Sequence, residues 1–263
     1  MNAHGIRVIA RLDIKGPNLV KGIHLEGLRI IGEPGLYARR YYEQGVDELL
    51  YMDIVASLYG RNSLTAIIER AAQDVFVPMT VGGGVRTLDD VRALLRAGAD
   101  KVAVNTAAVR NPDFIRDAAR SFGSQCIVVS IEAKLRGPDH WEVLTDNGRE
   151  RTGRDAVEWA REAARLGAGE LLVTSVDREG TGKGYDLALT RLISAQTEIP
   201  VIACGGAGEP GHLADAVETG RADAVCVASL LHYERQTVSG LKRALTARGI
   251  PVRTEDEACL PPR

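Results

Sequence analysis

The sequence has little of several features that mark particular classes of protein. Its 263 residues include only four cysteines and no Cys-x-x-Cys pair, which speaks against a zinc site or a redox pair. No apolar run reaches the ~20 residues that a membrane-crossing helix needs, and residues 1–11 lack the apolar core of a signal peptide. The formal net charge is only −2, so no strong positive field points to nucleic acid. We therefore expect a cytoplasmic protein that holds no metal ion and contacts neither nucleic acid nor a membrane.

What the sequence does contain is a recurring strand pattern. Runs rich in valine, isoleucine and leucine have the nearly continuous apolar character of parallel strands covered on both faces. Helix-like segments separate them, such as Thr87–Ala97, which begins at a capping threonine and is followed by Gly98. The predicted strands are 7–14, 48–54, 76–83, 101–106, 126–133, 170–177, 200–206 and 224–231. Their alternation with helices predicts an α/β fold, a (β/α)₈ TIM barrel, with an open doubly wound sheet as the alternative.

We expect the barrel to fill residues 1–253 as a single domain, since the chain length is usual for this fold. The polar, proline-rich residues 254–263 are expected to form a flexible tail. Residues 14–34, which are rich in glycine, are interpreted as a long loop. Trp141–Thr145, followed by Asp146-Asn147-Gly148, predicts a small hairpin after the fifth strand. Three cysteines, in the apolar runs CIVVSI, VIACGG and AVCVAS, are interpreted as buried core residues.

The chain also repeats itself. The segment that starts at Gly45 (GVDELLYMDIVAS) resembles the one that starts at Gly167 (GAGELLVTSVDREG), and the residues around Gly82 resemble those around Gly205. RLDIK in the first strand resembles SIEAK in the fifth at nearly the same spacing. The barrel is therefore predicted to consist of two similar half-barrels with similar binding sites.

In a barrel of this kind, functional groups lie at the carboxyl ends of the strands. The third and seventh strands end in Gly82-Gly83-Gly84 and Gly205-Gly206, and the fourth and eighth end in Asn105-Thr106 and Ala228-Ser229. Glycines expose backbone N–H groups and a helix N-terminus adds partial positive charge, so both favour a phosphate. One Gly-Gly alone is equally well explained by a turn. Two copies related by the repeat indicate two anionic groups, and hence a bisphosphate substrate.

Carboxylates end the first and fifth strands, between the two predicted phosphate sites. Asp13 and Glu132 would face each other there, and opposed carboxylates divide general acid and general base roles when their surroundings separate their pKa values. The alternative is that each pairs on the rim with a neighbouring lysine, Lys15 or Lys134. Lys21, in the predicted loop, is either a residue that closes over the substrate or a surface lysine.

The opposite ends of the strands carry an unusual set of charges. Arg7, Glu48, Lys101 and Glu170 open the first, second, fourth and sixth strands. Charges that enter an apolar barrel are costly unless they are paired, so these two cations and two anions would satisfy one another in a ring. The alternative is that all four are solvated rim charges.

These features together resemble the family of cyclase subunits of imidazole glycerol phosphate synthase. The resemblance extends from Arg7 to Arg253 and rests on LDIK with LVKG, YMDIVAS, TVGGG, GADKVAVNTAAV, FGSQC, GAGELLVTSVDREGT and GGAG. It implies a barrel that docks by its N-terminal face onto a separate glutaminase subunit, whose ammonia passes through the barrel. At the far end, ammonia would convert a ribulosyl-formimino aminoimidazole carboxamide nucleotide into imidazole glycerol phosphate and aminoimidazole carboxamide ribotide, without a cofactor.

The resemblance also implies roles for individual residues. The catalytic set is Asp13, Glu132 and Lys21. The substrate- and phosphate-binding set is Gly84, Asn105, Thr106, Glu179, Gly206, Ala228 and Ser229. The ammonia gate and subunit contact comprise Arg7, Glu48, Asp100, Lys101 and Glu170. The glutaminase must be a separate chain, because no cysteine here sits at a strand-to-helix elbow with a histidine partner.

Three residues depart from the family. Glu132 and Glu179 stand where the family has aspartate, and Arg11 stands where it has a small residue. Misplacing a catalytic group by ~1 Å lowers a rate by ~10²-fold, so these changes matter. They leave open a divergent relative that uses channelled ammonia to amidate a nucleotide sugar or a surface glycan. Two further alternatives are a non-catalytic partner of a glutaminase, disfavoured by the carboxylates and phosphate loops, and the isomerase of the preceding histidine step, disfavoured by the charged ring.

Overall fold

Parallel strands form a closed ring at the centre of the computed structural model, which describes residues 5–56 and 64–253. Within those residues the strands are β1 (Arg7–Lys15), β2 (Asn18–Ile23), β3 (Glu26–Gly32), β4 (Glu48–Asp53), β5 (Met79–Gly82), β6 (Lys101–Val104), β7 (Ile127–Gly137), β8 (His140–Thr145), β9 (Glu150–Asp155), β10 (Glu170–Ser175), β11 (Val201–Cys204) and β12 (Ala224–Val227). The ring runs β1, β4, β5, β6, β7, β10, β11, β12, and β12 pairs with β1 to close it. The predicted (β/α)₈ barrel is therefore confirmed, and the open sheet is wrong.

Helices cover the outside of the ring between successive strands. The described ones are α1 (Pro34–Glu43), α2 (Thr65–Asp74), α3 (Leu88–Arg96), α4 (Thr106–Arg110), α5 (Asp113–Phe122), α6 (Ala156–Leu166), α7 (Leu187–Gln196), α8 (Pro210–Glu218), α9 (Ser229–His232) and α10 (Val238–Ala247). The capping residues act as the sequence predicted. Thr87 and Asp90 form a reciprocal capping box at the start of α3, and Gly98 follows its end with φ 113°.

Residues 14–34 are not the long loop that their glycines suggested. β1 runs on to Lys15, and β2 and β3 then form an antiparallel hairpin with it. Gly16 lies in the turn between β1 and β2 with φ 58°, a region that glycine enters without steric cost. Gly27, with φ 63°, is the second residue of β3, just after the turn at His24 and Leu25. These two glycines therefore lie in or beside the turns that join strands. The hairpin predicted after the fifth strand is confirmed, since β7 pairs with β8 and β8 with β9.

The two half-barrels share architecture as well as sequence. Each begins with a long strand, β1 or β7, that continues into antiparallel strands above the barrel. The residues that precede α4 and α9 adopt almost the same unusual backbone conformation, with φ −127° and ψ −83° at Asn105 and φ −130° and ψ −82° at Ala228. The internal repeat therefore extends to the local geometry where the binding groups were predicted.

Alternation along the strands separates two regions of packing. On β1, Val8, Ala10 and Leu12 point outward into the large cluster between barrel and helices, whereas Ile9 joins the smaller cluster inside the barrel. Arg11 and Asp13 share the direction of Ile9, so this strand delivers charged groups to the interior above an apolar layer.

The predicted cysteine environments hold for two of the three residues described. Cys204 and Cys226 are buried, whereas Cys126 is only partly buried, in a short 3₁₀ turn (Ser124–Cys126) just before β7. Gly123, with φ 90°, ends α5 and precedes this turn. The predicted flexible tail, residues 254–263, lies outside the described residues.

Candidate functional site

The predicted functional residues separate between the two ends of the barrel. The carboxylates, the lysine of the β2 strand and the glycine-rich turns lie at the carboxyl ends of the barrel strands, and the charged ring lies at the amino ends. We call the carboxyl-end opening the mouth. Two cavities open there, one in each half, and together their linings contain all predicted substrate- and phosphate-binding residues.

A buried network of charges occupies the mouth on the side of the first strand. Arg11 Nε donates to Asp13 Oδ1 at 2.7 Å, and Lys21 Nζ lies 3.7 Å from Asp13 Oδ2. Lys21 also donates to the carboxylate of Glu179. Each of these side chains is at most 5% exposed. The four groups balance two positive charges against two negative ones, which is the condition for keeping ions away from water.

Glu132 has no comparable cation. It is 6% exposed, and its Oε2 accepts a hydrogen bond from the backbone N–H of Gly148 at 2.8 Å. Gly148 belongs to the turn between β8 and β9, so the inserted hairpin covers this carboxyl group. Burial raises the pKa of Glu132 to about 7, although the charge of Arg11 acts in the opposite direction.

The surroundings of the two carboxyl groups therefore separate their pKa values. Burial alone would raise the pKa of Asp13, but the charges of Arg11 and Lys21 outweigh it and hold that pKa below its usual value. The alternative of rim pairs with Lys15 and Lys134 is wrong for Asp13, because Lys15 is exposed and Asp13 pairs with other cations. One ionised and one protonable carboxyl group is the arrangement that acid–base chemistry needs.

The glycine-rich turns approach neighbouring backbone in the same way in both halves. A Cβ atom added to Gly83 would overlap the carbonyl of Asp53, and one added to Gly206 would overlap the carbonyl of Gly184. Both glycines have positive φ, 98° and 111°. Only glycine fits these positions, so the turns can present their N–H groups to the mouth.

The two cavities differ in size. The first measures about 340 Å³ and is lined by Gly84, Asn105, Thr106 and Glu132. The second measures about 10 Å³, room for about one water molecule. It is lined by Gly206, Ala228 and Ser229 together with Arg11, Lys21 and Glu179. The buried network thus fills the space in front of the second glycine turn.

We predict that sulfate or phosphate ions occupy both glycine turns in crystals, bound largely by backbone N–H groups. Gly206→Ala is expected to remove the ion of the second turn, because its Cβ has no room. Gly249→Ala is the matched control: Gly249 also has positive φ, 75°, but has open space around it, so both ions should remain. Crystals of the unaltered chain in sulfate with both turns empty would contradict the prediction.

We also predict a pH-dependent stability difference between the unaltered chain and Glu132→Gln. A carboxyl group whose folded-state pKa is raised from 4.5 to about 7 loses its stabilising contribution as pH rises through 7, here about 2–3 kcal/mol between pH 5 and pH 8. Urea unfolding at both pH values measures this difference. The two chains are compared at each pH because His232 also changes stability with pH. Burial lowers the pKa of His232 to about 4, so its contribution to stability rises with pH, opposite to that of Glu132. This contribution is the same in both chains and cancels in the comparison. A difference independent of pH would mean that Glu132 is ionised throughout.

The four charges at the amino ends of the strands form a closed ring of ion pairs. Arg7 donates to Glu48 at 2.8 Å and to Glu170 at 2.9 Å. Lys101 donates to the same two carboxylates at 2.9 and 3.0 Å. Their side chains are between 2% and 18% exposed, so these are not solvated rim charges. The ring connects β1, β4, β6 and β10 and closes the amino end of the barrel.

Asp100 lies beside the ring and is exposed, but it also has a structural contact. Its Oδ2 accepts a hydrogen bond from the backbone N–H of Met79 at 2.8 Å, at the start of β5. Asp223 accepts from Val201 at 2.9 Å in the other half-barrel. Loss of Asp100 would therefore disturb the start of a strand as well as any surface contact.

Sequence analysis missed several residues that complete the mouth. Thr174 and Cys204 lie 3.5 Å from Arg11 Nη1. In the first half, the predicted residues Asn105 and Thr106 contact two that were not predicted as site residues: Asn105 donates to the carbonyl of Leu144, and Thr106 accepts from the backbone N–H of Asp146. These contacts join residues far apart in the chain, and no local pattern signals them.

Some features are absent from the part of the chain that the structure describes. Among residues 5–56 and 64–253, no helix is both long and apolar enough to cross a membrane. No group of three histidine, cysteine, aspartate or glutamate side chains in the same ranges could hold a metal ion.

Comparison with known proteins gives two consistent similarities. The sequence pattern of the family described as "Histidine biosynthesis protein" matches residues 7–237. The chain is also 62% identical, over 204 residues, to the imidazole glycerol phosphate synthase subunit HisF of Legionella pneumophila. That similarity covers 78% of this chain and 96% of the Legionella protein.

Proposed function

The chain belongs to the histidine biosynthesis protein family, and from that premise we propose that it is the cyclase subunit of a glutamine amidotransferase complex. Its substrate would be the ribulosyl-formimino aminoimidazole carboxamide nucleotide, and its nitrogen source would be ammonia from a glutaminase partner. The products would be imidazole glycerol phosphate and aminoimidazole carboxamide ribotide. The enzyme is thus a lyase of the imidazole glycerol phosphate synthase type.

One observation carries the proposal: two glycine turns related by the internal repeat stand on either side of a pair of buried carboxyl groups. Gly84, Asn105 and Thr106 would bind one phosphate of the substrate, and Gly206, Ala228 and Ser229 the other. A molecule held at both ends places its reacting centre between them, next to Asp13 and Glu132. Holding the reactants in this way supplies much of a rate enhancement.

The residues of the mouth would then have separate chemical roles. Glu132, protonable near neutral pH, gives and takes the proton, while Asp13 provides a fixed negative charge for cationic nitrogen species. Lys21 and Glu179 cover the second phosphate turn, where Lys21 would exchange its carboxylate partners for the phosphate. No cofactor is needed for these steps.

The ring of ion pairs at the amino ends of the strands supports the proposal of a glutaminase partner. An enzyme that used ammonia from solution would have no use for four charged side chains, each at most 18% exposed, at the amino end of the barrel, where such charges are costly to assemble. A gate between a glutaminase and the barrel interior explains them, and the interior above it is lined by apolar side chains such as Ile9, Leu50 and Leu172. We therefore place the glutaminase at the face that carries Arg7, Glu48, Asp100, Lys101 and Glu170.

Complementation of a histidine auxotroph that lacks the cyclase tests the proposal. Growth without histidine, together with product formation from the nucleotide and ammonium salts by the purified chain, is the expected result. Asp13→Asn serves as the inactive control. Failure of both assays with a folded chain would contradict the proposal.

A second candidate is the amidation of a nucleotide sugar or surface glycan with the same channelled ammonia. The observation that favours it is Arg11, whose charge lies inside the mouth and which, with Lys21 and Glu179, lines a second cavity of only about 10 Å³. Amidation of a uronic acid sugar by the chain and its glutaminase, with no turnover of the histidine nucleotide, would distinguish this candidate from the first.

A further inference from the structure

Arg11 is an arginine held inside the barrel, which the proposed reaction does not yet use. It is 3% exposed and projects from β1 above the apolar layer that contains Ile9, Leu50 and Leu172. A guanidinium group placed there must be compensated, since an unpaired buried charge is among the most destabilising features a protein can carry. Its partner is Asp13, two residues further along the same strand.

The geometry holds the guanidinium in one place. Nε donates to Asp13 Oδ1 at 2.7 Å, while Nη1 lies 3.5 Å from Thr174 Oγ1 on β10 and 3.5 Å from Cys204 Sγ on β11. Arg11 therefore reaches across the interior and is anchored on three strands. A side chain fixed in this way applies its charge to Asp13 continuously.

Arg11 is also the nearer of the two cations that face Asp13. Lys21 Nζ is 3.7 Å from the other carboxylate oxygen and makes its closer contact with Glu179. Lys21 would be drawn away by a phosphate in the second turn. Arg11 would remain, because it projects from a barrel strand and contacts Thr174 and Cys204 on two others.

We propose that Arg11 is a positioning residue that keeps Asp13 as a permanent carboxylate, so that Glu132 alone carries the proton through the reaction. Each turnover must give a proton to a leaving group and take one from the nitrogen of ammonia, and a single carboxyl group that starts protonated can do both in that order. The ionised Asp13 in turn disfavours a second negative charge at Glu132 and helps to keep it protonated. The catalytic part of this proposal rests on the proposed function; the ionisation states do not.

The charged and titratable groups that face the two carboxyl groups come from every surrounding element. Around Asp13 they are Arg11, Lys21 and its partner Glu179, His232, and the thiols of Cys204 and Cys226. Around Glu132 they are Arg11, Asp13 and Asp146. Of these, only Arg11 faces both carboxyl groups as a cation, so its removal should change both titrations.

Carbon-13 NMR of the full chain, labelled at aspartate and glutamate carboxyl carbons, tests the ionisation states without any assay of activity. Asp13→Asn and Glu132→Gln assign the two signals. In the unaltered chain we expect Glu132 to titrate with a midpoint near pH 7 and Asp13 to keep the shift of a carboxylate between pH 5 and pH 9. An Asp13 signal that titrates in this range would overturn the proposal.

Two variants connect the result to Arg11. Arg11→Met removes the charge and keeps an aliphatic side chain, so the Asp13 titration should move to higher pH, whereas Arg11→Lys should keep Asp13 ionised. If Arg11→Met folds poorly, Arg11→Gln removes the same charge and keeps a hydrogen-bond donor. An Asp13 titration that is the same in the neutral variant and in the unaltered chain would overturn the role of Arg11.

The pH dependence of kcat, at constant free ammonia and saturating nucleotide, tests the catalytic part. The kcat profile of the unaltered chain and of Arg11→Lys should show one ionisation, that of Glu132 near pH 7, and the profile of the neutral variant should show a second one, from Asp13. A merely structural role for Arg11 would lower kcat at every pH equally and leave the profile unchanged, which would overturn the proposal. Absence of turnover in the unaltered chain would count against the proposed function, whereas the NMR titrations decide the role of Arg11 separately.

Discussion

Glu132→Gln is expected to lower the turnover of the histidine-pathway nucleotide by about 10²–10⁴-fold, the contribution usual for a general acid–base group. Glutamine can still accept the hydrogen bond from Gly148, so the local fold should survive, but it cannot give up or take a proton. The measurement is kcat with ammonium salts, at a constant concentration of free ammonia. Full activity of this variant would exclude the two-carboxylate mechanism.

Glu142→Gln is the matched control for this variant. Glu142 is also buried and also accepts a backbone hydrogen bond, from Gly153, but it lies on β8 away from both cavities and pairs with Arg136 and Arg151. Its loss should lower stability and leave kcat unchanged. If, instead, Glu132→Asp raises turnover, the longer side chain at this position marks divergence from the family reaction.

Asp13→Asn should abolish activity and also destabilise the chain. The structure adds a cost, because Arg11 would lose its carboxylate partner inside the barrel, and breaking one side of a buried pair typically costs about 3–5 kcal/mol. Urea unfolding of this variant therefore has to accompany its assay.

The second large effect is expected at the opposite end of the barrel. Alone, the chain should use only ammonium salts, best at raised pH where free ammonia is present; with its glutaminase it should use glutamine. Lys101→Ala should leave the complex mostly assembled but uncouple glutamine hydrolysis from product formation, because Lys101 holds both Glu48 and Glu170 in the ring. Lys101→Arg, which keeps the charge, is the control. The measurement is the ratio of glutamate to product formed.

Charge reversal at Asp100 should weaken the complex by about 2–5 kcal/mol if its partner across the interface is buried. The same substitution also removes the acceptor for the N–H of Met79, so Asp223→Lys, which loses the equivalent contact with Val201, is the control. Equal losses of affinity in both variants would assign the effect to the strand starts. Recovery of the chain from its native cells only as a lone protein, fully active without ammonia, would remove the case for a glutaminase partner.

The sequence alone determined the fold class and the position of its parts. Continuous apolar runs predict parallel strands because both faces of each strand are covered, and capping residues such as Thr87 and Asp155 locate the helix starts, because these interactions are local. The internal repeat predicted two similar halves, and the structure extends that likeness to the backbone of Asn105 and Ala228. The hairpin in residues 14–34 was missed, since glycines in tight turns and glycines in a loop look alike in a sequence.

Only the tertiary structure decided how the charged residues are paired. Asp13 could have met Lys15 on the rim, and Arg7, Glu48, Lys101 and Glu170 could have been solvated, because sequence spacing does not fix distances between strands. Closure of the barrel brings β1 beside both β4 and β12 and places Arg11 against Thr174 and Cys204. The ionisation of Asp13 and Glu132 follows from burial and from these long-range contacts, so it belongs to the folded barrel and to no segment of the chain by itself.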